Sequence, residues 1–170
     1  MTHLFNRMMS SKDKQHQTEE IVIDKNIVID ASPEVVFKAI TDQEELRNWF
    51  PDQAIMEAKL GGKVKFVFYK DKERKQGELE CVPEGTIIEF IPNKKVSYTW
   101  RQTNAPDFPN TVVTWELEEI ADNKTRVKLL HTGFELSELF KQHDEGWSYF
   151  LNRLQSYCRN DNGKPQDRNT

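Results

Sequence analysis

Cysteine is scarce in this chain of 170 residues, with Cys81 and Cys158 its only two. They lie far apart, without the spacing of a metal-binding pair, and a chain of this length gains little from one optional bridge. Reduced thiols and a cytoplasmic location are therefore expected. Long apolar runs are also missing. Leu4, Phe5, Met8 and Met9 near the start are interrupted by Asn6 and Arg7, which leaves no stretch of secretory or membrane-spanning length. Read on their own, these residues either stay flexible or form a short amphipathic docking peptide. Positive charge is not in excess either. The 24 Lys and Arg face 28 Asp and Glu, for a net charge of −4, whereas phosphate contacts need a concentrated positive surface. The sequence thus argues against nucleic-acid partners and anionic membranes. The densest basic stretch, Lys70 to Lys75, is interrupted by Asp71 and Glu73 and reads as a solvated turn.

What is present is a set of aromatic residues concentrated between Phe37 and Tyr157, able to bury large areas each. The polar ends divide the chain into a flexible segment 1–19, one domain over 20–159 and a disordered tail 160–170. From Glu20 to Ala31 the β-branched run predicts a first strand. Ser32-Pro33-Glu34 supplies an N-cap, a proline at the first helical position and an acid near the helix start, followed by Val36, Phe37 and Ile40 on one face. Asp42 with Glu45 resembles a capping box for a second short helix carrying Leu46, Trp49 and Phe50, and Pro51 stops it.

The middle predicts strand after strand. Val64, Phe66 and Phe68 alternate inward against Lys63 and Lys65 after a Gly61-Gly62 turn. Gly77 to Ile91 reads as one long bent strand, with Pro83 and Gly85 requiring a bulge or an edge. Val96, Tyr98 and Trp100 form the next inward set, then Val113, Trp115 and Leu117, then Val127, Leu129 and His131. From Trp147 the period becomes helical, with Phe150, Leu151, Leu154, Tyr157 and Cys158 on one face. Residues 136–143 add a further helical turn, and Gly146 is expected to let the backbone pack closely.

A strand, two short helices, a succession of strands and one long final helix describe an α+β layer arrangement, a curved antiparallel sheet wrapped around the C-terminal helix. Ala31-Ser32-Pro33-Glu34-Val35-Val36-Phe37, Thr41-Asp42 leading to Trp49-Phe50, Gly61-Gly62, Pro92 through Tyr98-Thr99-Trp100, His131-Thr132-Gly133-Phe134 and Gly146-Trp147 occur in order. This series resembles homologues of the activator of the ninety-kilodalton heat-shock chaperone ATPase. These belong to the helix-grip superfamily of START, polyketide-cyclase and pollen-allergen-like domains. The resemblance covers about Ile21 to Cys158. It implies the helix-grip fold and a cavity between sheet and helix. The departures are the short turn from Lys70 to Gln76 and the break at Val82-Pro83-Glu84, either of which can reshape the cavity rim.

His131 is the histidine expected to face inward, either orienting a polar ligand group or closing the end of the sheet with a hydrogen bond. No acid at fixed spacing is visible to make it a general base. His143, Asp144 and Glu145 diverge around a helix and do not make a metal site. Cys81 is expected to be a buried, inert thiol, since nothing cationic is fixed beside it in sequence. The candidate ligand cavity is Phe66, Phe68, Tyr98, Trp100, Trp115, His131, Trp147, Phe150, Leu151 and Leu154. Neither a metal nor a cofactor is expected.

Three function classes remain open. The favoured one is a non-catalytic carrier or sensor of a hydrophobic or planar aromatic small molecule or a lipid. The second is a chaperone-associated stress protein, and the third a cyclase-like enzyme. The chaperone activators carry an additional N-terminal domain, for which residues 1–19 are too short. Association of two copies through a sheet edge stays open.

Overall fold

The computed structural model describes residues 21–71, 73–135 and 137–161. The expected flexible segment 1–19 and residues 162–170 of the expected tail lie outside them. Strand β1 (Ile21–Ile29) turns Ile23 and Ile29 fully inward. Helix α1 (Pro33–Thr41) starts where Ser32 Oγ accepts a hydrogen bond from the Val35 amide at 3.3 Å and proline occupies the first turn, as the cap motif requires. Asp42 then serves two helices. Its own amide donates to the Lys38 carbonyl to close α1, while its Oδ1 accepts from the Glu44 and Glu45 amides at 2.9 and 3.0 Å to open α2 (Gln43–Leu46). The reciprocal half of the expected capping box is absent. Because the Asp42 amide is already used, the Glu45 carboxylate turns to the Tyr157 hydroxyl on the last helix instead.

Strand β2 (Gln53–Met56) is an edge strand that the sequence did not announce. It is four residues long and buries only Met56, too short an alternation to stand out. Strand β3 (Lys63–Tyr69) buries Val64, Phe66 and Phe68. The long strand expected over Gly77 to Ile91 is two strands, β4 (Leu79–Cys81) and β5 (Pro83–Ile91), divided where Pro83 has no N–H to continue a ladder. Strand β4 pairs only with β3. In β5, a Cβ on Gly85 would stand 1.7 Å from the Thr99 carbonyl oxygen, so only glycine lets the neighbouring strand approach. That neighbour is β6 (Lys95–Gln102), followed by β7 (Thr111–Ala121) and β8 (Lys124–Phe134). Inward residues Val96, Tyr98, Trp100, Val113, Trp115, Leu117, Val127, Leu129 and His131 follow the period of two throughout.

The eight strands form one antiparallel sheet in the order β1-β8-β7-β6-β5-β3-β2, with β4 attached to β3. One long helix, α3 (Ser137–Asp161), lies on its inner face. The helix includes the expected extra turn and ends two residues beyond Arg159. The architecture is the α+β helix-grip arrangement. Lys25 Nζ lies 3.0 Å from Asp144 Oδ1, and the backbone of α3 comes nearest to β1. Its other flank therefore meets the sheet through side chains.

Phe50, delivered by the turn after α2, fills the middle of that space. It stacks on Trp147 with centroids 5.2 Å apart and meets Phe66, Phe68 and Phe150 edge-on at 5.2, 5.3 and 4.9 Å. Each such aromatic pair contributes about 0.5–1.5 kcal/mol beyond its buried area.

Candidate functional site

Beside this aromatic plug, α3 and the outer strands do not close completely. A cleft of about 550 Å³ remains between the first half of α3 and strands β3, β4 and β6. Phe50, Phe68, Trp100 and Trp147, all buried, form its floor, and half-buried Phe150 and Cys81 form its walls. Exposed Glu80, Gln142, Glu145 and Tyr149 surround the mouth, and Gln102 and His143 are the polar groups set deeper.

The histidines are fixed by their partners. The Trp147 indole N–H donates to His131 Nδ1 at 3.0 Å, and an indole nitrogen can only donate. His131 is therefore neutral and carries its proton on Nε2, which donates to Thr111 Oγ1 at 2.8 Å. The Thr111 hydroxyl in turn donates to the Trp100 carbonyl at 2.6 Å. This one-way chain runs from α3 through β8 and β7 to β6. Burial, and secondarily neighbouring His143, hold the His131 pKa well below its ordinary value of 6.5. His143 has the opposite tautomer. Its Nδ1–H donates to the Leu139 carbonyl at 2.8 Å, so Nε2 accepts from the Gln102 amide at 3.1 Å. Burial also lowers the His143 pKa, against the raising effect of the Leu139 carbonyl. His131 thus makes the hydrogen bond expected of a histidine that ties the end of the sheet, and it does not border the cleft.

Of the other residues expected to line a cavity, Phe68, Trp100, Trp147 and Phe150 do border the cleft. Phe66, Tyr98, Trp115, Leu151 and Leu154 lie in the packed core away from it. The Tyr98 hydroxyl accepts from the Trp115 indole at 3.1 Å, and burial pushes its pKa well up. Phe50 occupies the space into which these side chains were expected to open. Two further expectations change. Cys81 is half-buried at the cleft wall, whereas Cys158 is fully buried. Gly146 makes no close backbone approach, because a Cβ there would meet nothing within 4 Å. It leaves room at the cleft.

Several cleft residues escaped the sequence reading. Gln102 continues the inward period of Val96, Tyr98 and Trp100 to the end of β6, a signal that was available. Glu80 and Cys81 enter only because β4 pairs with β3 across the break at Pro83, which no local pattern reveals. The acids Glu80 and Glu145 are the only charged residues on the lining among the described residues.

Solved structures of similar shape come from several organisms. Protein CV1439 of Chromobacterium violaceum aligns with a TM-score of 0.70 at 22% identity, over 81% of this chain and 97% of that one. The Aha1 dimer structure from Colwellia psychrerythraea gives 0.64 at 23%, over 81% and 96%. A Plasmodium falciparum protein described as an HSP90 activator gives 0.62 at 20%, over 85% and 97%. At these identities the likeness shows the fold alone. A search of the curated proteins finds no match. The model of the family described as "Activator of Hsp90 ATPase homolog 1-like protein" matches residues 30–159. With sheet, grip helix and matched span in agreement, the chain belongs to that family.

Proposed function

We propose that this protein binds a planar aromatic small molecule in the cleft between α3 and strands β3, β4 and β6, and acts as a cytoplasmic carrier or sensor without chemistry on its ligand. The observation that supports this reading is the cleft floor. Phe50, Phe68, Trp100 and Trp147 present ring faces and edges beneath a polar mouth. The volume of about 550 Å³ lies inside the roughly 300–1,000 Å³ typical of small-molecule sites. Flat rings stack on such a floor better than a flexible acyl chain does.

A non-catalytic role is supported by the hydrogen bonds. The imidazole lone pairs of His131 and His143 already accept from Trp147 and Gln102, so neither histidine has a base site free for a substrate proton.

The test is a thermal-shift and native mass-spectrometry screen of planar aromatics against lipids, repeated with Gly146→Leu, whose side chain would grow into the cleft. Planar aromatics are expected to stabilise the wild type, by about 2.7 kcal/mol at a hundredfold excess over Kd, and to lose this effect in the variant. No binder, or binders indifferent to Gly146→Leu, would overturn the reading.

A chaperone-associated role is the second reading, supported by the description of the family. It predicts faster ATP hydrolysis by a ninety-kilodalton heat-shock protein on adding this chain. It takes precedence if no aromatic compound binds.

A further inference from the structure

The protein has four tryptophans, all buried to at least 96%. Three place their indole N–H on an acceptor: Trp49 on the Ala39 carbonyl at 2.9 Å, Trp115 on the Tyr98 hydroxyl at 3.1 Å and Trp147 on His131 Nδ1 at 3.0 Å. The fourth, Trp100, borders the cleft, and its Nε1 is the only buried side-chain nitrogen or oxygen without a hydrogen-bond partner among the described residues. Buried polar groups are almost always partnered, so an orphan beside a cavity needs an explanation.

The rings packed around Trp100 supply no acceptor. Its ring neighbours include Phe50, Phe66 and Trp147, with centroids 5.7 to 6.3 Å away, and none of these offers a lone pair. His131 and His143 lie at 5.5 and 6.2 Å, but the lone pair of each already accepts from another donor.

We infer that the Trp100 indole N–H is the specificity-determining donor of the cleft, and that the ligand it selects is a neutral planar aromatic compound with a carbonyl oxygen at its buried end. This rests on the aromatic-binding reading above and names its ligand class. A carbonyl presents lone pairs in the plane of the rings, the arrangement an indole N–H requires of its acceptor, and because Trp100 Nε1 is covered, side chains of the floor part to seat the oxygen on it. The oxygen is neutral because the charged groups on the described lining, Glu80 and Glu145, are acids. The two nearby imidazoles are neutral as well. A buried carboxylate would find no cation among the described lining residues and would face the two acids, which disfavours it.

The test compares three probes with one ring frame: fluorene, 9-fluorenone and fluorene-9-carboxylate. Each is titrated calorimetrically into the full chain and into Trp100→Phe. The wild type is expected to bind the ketone about tenfold more tightly than the hydrocarbon, as a hydrogen bond to a buried donor implies, with the carboxylate weakest. Trp100→Phe is expected to bind fluorene and fluorenone alike. Fluorenone should also shift the Trp100 indole proton resonance of the wild type downfield, which fluorene should not, and this measurement needs no variant. Equal binding of hydrocarbon and ketone, a ketone preference retained in Trp100→Phe, or an unmoved indole resonance overturns this inference and leaves the aromatic cleft standing. No binding of any probe overturns both.

Discussion

Trp147 combines packing and polarity in one side chain, and its two roles separate experimentally. It stacks on Phe50 and donates to His131. Trp147→Ala is expected to cost about 3–5 kcal/mol in urea unfolding, as for other large buried aromatics. Trp147→Phe keeps much of the packing but leaves His131 Nδ1 unpaired, at about 1–3 kcal/mol. Ser148→Ala on the exposed neighbouring position should be nearly silent, and equal losses at 147 and 148 would contradict the assigned helix face. The histidines add a pH dependence. Both have folded pKa values below the ordinary 6.5. Above that pH both states are neutral and the histidines contribute no slope. Below it the unfolded chain takes up protons that the native state refuses, so stability falls as pH drops from 6.5 toward about 5. His143→Gln should reduce this slope. A wild type equally stable at both ends of that window would contradict it. At this scale the sequence was half legible. The inward face of His131 followed from the parity of β8, but its partners came from Trp147 and Thr111, on elements remote in the chain.

Two glycines test the elements that carry them. At Gly85 the added methyl meets the Thr99 carbonyl of the adjacent strand, so Gly85→Ala forces β5 and β6 apart and is expected to cost about 3 kcal/mol. At Gly146 the added methyl meets nothing, and the residue lies inside α3. Gly146→Ala is expected to stabilise by about 0.5–1 kcal/mol, since glycine inside a helix is unfavourable. Opposite signs in denaturant unfolding would support both assignments, and a shared sign would refute one. Elements with a long period were readable from sequence: β3, β6, β7, β8 and the apolar face of α3 all lie where alternation or helical spacing placed them. The failures were short or interrupted. Strand β2 buries a single residue, and the apparent strand over residues 77–91 divides at Pro83, where a missing N–H outweighs continuing hydrophobicity.

For the molecule as a whole, the order of elements was enough to specify a sheet around a terminal helix. The location of the cleft was not. Sequence parity says which side chains turn inward, but not which of them another side chain covers. Phe50 arrives from a turn near the start of the domain and covers the centre, so the opening moves toward β4 and the beginning of α3. The indole hydrogen bonds have a consequence for exchange with deuterium. The protons on Trp49, Trp115 and Trp147 are each held by an acceptor in the core and should leave only when the fold opens, whereas the unheld proton on Trp100 should leave first. The four resonances then act as clocks inside one protein, three set by the lifetime of the folded state and one by the traffic through its cleft. A bound ligand that accepts from Trp100 would slow that fourth clock toward the other three.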